Sequence, residues 1–231
     1  GKTWAIDSLA SGHLSVGPVG TDGTSWWAAA PLEKSGAKVL YDDRITFKLE
    51  GFKAIYANHG KSFVKAPRAK DPAYSNAISS TGDWVVDYPN PQPGSWIIET
   101  RGDKKILKLT GATPVYPCYD AGAQGGEYEI VSISENFLDL LCTDVEGNAW
   151  RTKLIKEGYV KPKVTYTVSV EQTANVNEYA VKLNNLVIPS GVSVTNIKVD
   201  FGDGTIKETT DANATLVNTY MRKAPYNLSV T

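Results

Sequence analysis

Along most of this chain apolar positions recur every second residue in short runs, and helical spacing is nearly absent. Arg44-Ile-Thr-Phe-Lys-Leu49, Ser95-Trp-Ile-Ile-Glu-Thr100, Lys105-Ile-Leu-Lys-Leu109, Glu127-Tyr-Glu-Ile-Val-Ser-Ile133, Phe137-Leu-Asp-Leu-Leu141 and Trp150-Arg-Thr-Lys-Leu154 are such runs, set between Gly, Pro, Asn and Asp clusters. A period of two puts one side-chain face on a core and the other in water, which is the mark of a strand. Runs this short and this closely spaced predict an antiparallel sandwich or a barrel. The pattern breaks at Lys156-Glu-Gly-Tyr-Val-Lys-Pro-Lys163 and resumes at Val164-Thr-Tyr-Thr-Val-Ser-Val170. A boundary near residue 161 therefore divides an antiparallel β domain over 1–160 from a second domain over 163–231.

In the second domain Ile197, Val199 and Phe201 alternate with polar neighbours, and Tyr226, Leu228 and Val230 repeat the alternation. Gly202-Asp203-Gly204 supplies the positive φ of a tight turn. Asp200-Phe201-Gly202-Asp203-Gly204-Thr205, Asn218-Thr219-Tyr220 and the closing Tyr226-to-Val230 strand resemble the signature of PKD domains. Val199 stands where that family usually has Trp, and Asn218 where it usually has His. The resemblance implies an immunoglobulin-like β-sandwich that serves as a spacer or adhesion unit outside the cell.

The first domain carries Gly1-Lys-Thr-Trp4-Ala-Ile-Asp7, Gly12-His13, Gly17-Pro18, Trp26-Trp27, Pro31, Glu33-Lys34 and Leu40-Tyr41-Asp42-Asp43 in one order. That order resembles the "GKTW" β domain found beside PKD modules in secreted lipoproteins of Bacteroidetes glycan-utilisation systems. Tyr128-Glu-Ile130, Phe137-Leu-Asp-Leu140 and Trp150 resemble the last strands of lipocalin-like barrels. The resemblance implies a cell-surface, outer-membrane or periplasmic protein engaged in polysaccharide capture, beside an outer-membrane uptake complex. It implies membrane attachment only through a lipid anchor since removed, a reading that suits a chain opening at Gly1 without Met.

Composition narrows the partners further. The 231 residues are enough for one large β domain or two smaller ones. Twenty-four Lys and Arg against 25 Asp and Glu leave no excess to attract polyanions, so nucleic acid and anionic membrane are poor partners. No apolar run approaches the ~20 residues of a spanning helix. Cys118 and Cys142 form no metal or redox spacing. Two buried thiols in adjacent strands is one reading, and a disulfide in an oxidising compartment is the other.

Saccharide binding relies on aromatic rings that stack on the apolar C–H face of a sugar while nearby polar groups bond its hydroxyls. Trp26 and Trp27 follow a Gly- and Thr-rich loop, and adjacent residues on an extended segment point oppositely, so one should face the core and one the solvent. Tyr88 and Tyr119 sit in Pro- and Gly-rich segments, and Asp22, Glu33 and Gln124 are polar companions. Trp4, Trp96 and Trp150 lie in strand-like runs and read as core. Catalysis as a glycoside hydrolase would need two opposed carboxylates from Glu33, Asp42, Asp43 and Glu50, and Asp42-Asp43 suits a strand start or a calcium ion. His13 reads as bonded to a carbonyl and His59 as a solvated turn residue. Asp200-Phe201-Gly202 and Arg101-Gly102-Asp103 read as turns rather than as a kinase or an adhesion motif. The reading is thus non-catalytic carbohydrate binding on the first domain with the second as spacer; the alternative is an adhesion or assembly protein whose aromatic loops meet another protein.

Overall fold

The computed structural model describes residues 1–190 and 192–231. The chain is all-β and divides into two compact units, Gly1–Tyr159 and Val160–Thr231. In the first unit the strands are β1 (Lys2–Ile6), β2 (Leu14–Pro18), β3 (Trp27–Ala28), β4 (Arg44–Phe47), β5 (Lys53–Ala57), β6 (Lys61–Val64), β7 (Ser75–Ser80) and β8 (Asp83–Asp87). There follow β9 (Gly94–Arg101), β10 (Lys104–Thr110), β11 (Glu127–Ile133), β12 (Phe137–Thr143) and β13 (Asn148–Lys156).

Eight of these close an antiparallel barrel in the order β1-β4-β5-β9-β10-β11-β12-β13, with β13 returning to β1. The long β13 is shared along its length. Asn148 to Thr152 pair with β2, which carries β3 at its edge, and Leu154 to Lys156 pair with β1. Strands β6, β7 and β8 form a separate sheet inserted between β5 and β9.

Register fixes which side chains enter the barrel. Trp4 faces Ile45 across one ladder, Cys142 faces Trp150 across another, and Leu107 faces Tyr128 across a third; all of these are buried. Trp4 and Trp150 are core residues as the pattern predicts, while Trp96 is half-buried and donates its indole N–H to the Lys48 carbonyl at 3.0 Å. Within Arg101-Gly102-Asp103, Gly102 and Asp103 form the two-residue turn of the β9–β10 hairpin, with Gly102 at φ 65°.

Six tyrosines lie buried in the interior, and several face a buried aspartate. Tyr119 donates to Asp83 at 2.9 Å, Tyr74 donates to Asp120 at 2.8 Å, and Tyr56 donates to Asp43. An apolar core admits a phenol only where its hydroxyl finds a partner, and the aspartates supply one. Burial raises the Asp83 pKa and holds that of Asp43 well above the usual carboxylate range.

The two cysteines are free and buried. Cys142 lies in β12 as expected, but Cys118 does not occupy a strand. It sits in the segment between β10 and β11 at φ 68°, its thiol directed at the carbonyls of Asp43 (3.6 Å) and Trp4 (3.9 Å). The expectation of two thiols in adjacent strands is corrected accordingly.

Among its described residues the second unit holds two three-stranded antiparallel sheets. One is β14 (Thr165–Gln172), β15 (Glu178–Val187) and β18 (Leu216–Thr219); the other is β16 (Ile197–Asp200), β17 (Ile206–Thr209) and β19 (Ser229–Val230). Val181 of the first sheet packs with Val199 and Phe201 at the second, making a sandwich. The turn after β16 follows the sequence closely. Gly202 and Gly204 take φ 76° and 92°, and a Cβ on Gly202 would stand 2.5 Å from the Asn227 carbonyl oxygen. Asp200 accepts from the Gly202 N–H (2.8 Å), Asp203 accepts from the Thr205 N–H (2.9 Å), and Asn218 donates to Asp203 at 2.8 Å.

Candidate functional site

The segment from Pro18 to Glu33 carries most of the predicted binding residues, and its path is set by close packing. A Cβ on Gly23, whose φ is 73°, would meet the Leu141 side chain at 2.8 Å and the Ala149 carbonyl oxygen at 3.1 Å. Only glycine lets the loop lie this close to β12 and β13. Thr21 donates to the Pro18 carbonyl at 2.7 Å, and the Asp22 carboxylate accepts from the Thr24 hydroxyl (2.8 Å) and N–H (3.2 Å). These bonds hold the Asp22 pKa below the usual carboxylate range, the Thr24 hydroxyl foremost.

Trp26 and Trp27 separate as adjacent residues on an extended segment should. Trp27 faces Val16 in the β2–β3 ladder and packs against the core. Its indole N–H donates to Glu33 at 3.2 Å, and the Lys34 ammonium lies 4.5 Å from its ring centroid. Glu33 also accepts from the Ala30 N–H at 2.6 Å. Trp27 and Glu33 are therefore engaged with each other and with the fold. Trp26 is 61% exposed and held at the backbone by its N–H to the Val16 carbonyl, 3.1 Å.

A buried histidine anchors this region from below. His13 Nδ1 lies 2.8 Å from the Ala10 carbonyl and must carry the proton, so Nε2 accepts from the Tyr41 hydroxyl at 2.9 Å. Burial lowers the His13 pKa, which keeps the neutral tautomer. Tyr41 in turn accepts from the Lys34 N–H at 3.0 Å, tying down the loop beyond Trp27. His59, by contrast, is exposed in a turn at φ 51°.

Beside Asp22 stands a pair that the sequence pattern did not single out. Arg151 makes a bidentate contact with Asp139, Nε at 2.9 Å and Nη2 at 2.7 Å, and its guanidinium reaches to 3.9 Å from Asp22. The two belong to one hairpin, β12–β13, where Leu141 faces Arg151 and Asp139 is the next residue along on the same face. Pairing the two runs about Val145-Glu146-Gly147 would have brought them together from sequence alone.

Three other predicted residues lie elsewhere. Tyr88 is 2% exposed, donates to the Pro114 carbonyl at 2.8 Å and packs edge-on to Tyr74. Tyr119 is 1% exposed and bonded to Asp83. Both are core residues, which corrects their reading as ligand-binding rings: a ring this buried offers no face to a sugar. Gln124 donates to the Asp144 carbonyl at 2.7 Å and is not gathered with Trp26 by any contact.

The predicted carboxylates are dispersed. Asp43 and Glu50 flank opposite ends of β4, and Asp43 is buried beneath Tyr56. Burial raises the Asp43 pKa, and its carboxylate already accepts from Tyr56. Among the described residues no three His, Cys, Asp or Glu side chains converge as a metal would need.

A cavity of about 640 Å³ opens beside Arg68, Asp71, Asp120 and the segment from Thr110 to Val115. Its charges are spent on one another: Arg68 donates to Asp120 at 2.9 Å and to Asp71 at 2.8 Å. A Cβ on Gly122 would stand 2.9 Å from the Arg68 side chain, so that glycine makes room for the arginine stem. This wall is a brace between the 66–73 segment and the barrel.

No protein-family model matches the chain, and no curated protein matches it either.

Proposed function

We propose that the first unit is a non-catalytic saccharide-binding module with Trp26 as its stacking platform. The observation that carries this reading is the 61% exposure of Trp26 on a loop fixed by Gly23, Asp22 and the β2 backbone. An indole left in water forgoes the roughly 1.5–3 kcal/mol that burying a large apolar side chain yields. A preorganised platform for a sugar face accounts for that exposure. Asp22 accepts from hydroxyls, and the Arg151 guanidinium 3.9 Å from it is held in place by Asp139.

One ring stacks on one sugar unit, so affinity for a monosaccharide is weak and longer oligosaccharides gain by further contacts. The resemblance to surface proteins with GKTW and PKD domains supports an extracytoplasmic place, with the second unit as spacer and an uptake complex as neighbour. Native affinity gels containing a panel of plant, algal, fungal and host polysaccharides test the reading. The expected result is retardation by at least one polymer, abolished in Trp26→Ala and retained in Gln124→Ala. Equal retardation of Trp26→Ala and the parent protein would remove Trp26 from the site.

One further observation favours a protein-contact reading. Phe52 sits at φ 47°, 55% exposed, with its ring edge-on to Trp96 at 5.4 Å, and the neighbouring Leu49 is 67% exposed. A bulky residue at positive φ is strained, and strain of this kind gathers at functional surfaces. This reading expects glycan-independent association that Phe52→Ser weakens, measured by sedimentation without glycan. A monomer at all concentrations would sink its self-association form.

A further inference from the structure

We propose that the second unit is more than a spacer and carries a ligand site of its own, one that takes an acidic sugar residue. Tyr179, Tyr220 and Tyr226 wall an open cleft of about 290 Å³, completed by Asn177, Arg222 and Lys223. The volume is at the lower end for small-ligand clefts and suits one or two rings.

The rings are fixed in place. Tyr220 and Tyr226 stack with centroids 4.5 Å apart and planes 26° apart, and Tyr179 meets Tyr220 edge-on at 5.7 Å. Tyr220 donates to the Phe201 carbonyl and Tyr226 to the Arg222 carbonyl, both at 3.0 Å. With the Tyr220 and Tyr226 hydroxyls tied to backbone, these half-buried rings line the cleft in a fixed arrangement, which lowers the ordering cost of binding. The Tyr226 bond also closes the turn that presents Arg222 and Lys223.

Charge selects the ligand. Arg222 and Lys223 are exposed and make no ion pair among the described residues, and no carboxylate lines the cleft. Glu178 and Asp203, on adjoining segments, are engaged by Thr173 and Asn175 and by Thr205 and Asn218. Two free cations beside an aromatic wall suit a ring with an apolar face and one negative substituent. A guanidinium recognises a carboxylate or a sulfate by paired N–H donors. Uronic acid and sulfated sugar share this chemistry.

The site is independent of the Trp26 reading, and the test separates the two. Trigalacturonate, a sulfated galactose trisaccharide and neutral galactotriose are titrated by calorimetry into the full chain, its Arg222→Ala/Lys223→Ala variant and its Trp26→Ala variant. The expected result is binding of at least one acidic trisaccharide with neutral galactotriose about tenfold weaker or more. The double variant should lose about tenfold or more, and Trp26→Ala should bind as the parent does. Which acidic trisaccharide binds assigns carboxylate or sulfate. No binding of either, equal binding of the neutral sugar, or an unchanged double variant would overturn the proposal. So would loss in Trp26→Ala alone.

Discussion

The two units solve the same problem, burying one face of a sheet, at very different scales. The barrel unit gathers 26 buried residues into one cluster, whereas the sandwich unit among its described residues closes on Val181, Val199 and Phe201. Small domains bury a smaller share of their surface, so each core side chain carries more of the total. The difference extends to tyrosine. In the barrel Tyr56, Tyr74 and Tyr119 are drawn inside and each is given an aspartate; in the sandwich Tyr179, Tyr220 and Tyr226 stay half-buried on one face. A large interior can afford polar partners, and a small one leaves its aromatics available at the surface.

Phe201→Ala tests the contrast most severely. Removing a fully buried phenylalanine from a core of three should cost about 3–5 kcal/mol. All six tryptophans lie in the first unit. Tryptophan fluorescence should therefore report an unchanged transition while far-UV circular dichroism records an earlier loss of structure. A shifted tryptophan transition would show that the units do not unfold separately.

The next largest effect concerns the buried aspartates of the barrel. Burial raises the Asp43 pKa, with Asp42 adding to it and Tyr56 and Arg44 opposing. Such a group stabilises the fold fully below its unfolded pKa of about 3.9 and loses that contribution as pH rises toward the folded value. Asp43→Asn removes the titration and keeps an acceptor for Tyr56. The stability of the variant relative to the parent should improve above about pH 4 by up to about 1.4 kcal/mol per pH unit, and stay flat below. Parallel melting curves from pH 3 to 8 would count against a raised Asp43 pKa.

Smallest of all is the stability effect of Trp26→Ala, within about 0.5 kcal/mol because its side chain is largely in water already. Trp27→Ala should cost about 3 kcal/mol, as the partner that covers Val16 and meets Lys34. Chemical denaturation of the two variants side by side measures the gap. Similar costs would mean that the two indoles are not divided between core and solvent.

Much of the architecture was legible because it depends on local rules. The alternation at Ile197, Val199 and Phe201, the glycines at 202 and 204, the turn at Gly102 and the carbonyl-bonded His13 follow from period, φ and hydrogen-bonding need. The two-residue period also required one of Trp26 and Trp27 to face outward. Which one does so depends on the pairing of β3 with β2, a contact set by the barrel. Tyr88 and Tyr119 misled for a related reason: segments rich in Pro and Gly read as surface, yet each of these tyrosines is packed into the core. The pairing of tyrosines with Asp43, Asp83 and Asp120 links residues as many as 46 positions apart, beyond any short pattern.

The closure of β13 onto β1, with Trp4 opposite Lys156, brings the entry and exit of the barrel unit onto one seam. A short linker could join those ends, and the chain could then be reopened at the Gly102-Asp103 turn with every ladder kept. Such a circular permutant would have new termini and the same core. A unit built this way can be moved as a cassette between protein contexts, because its two attachment points travel together.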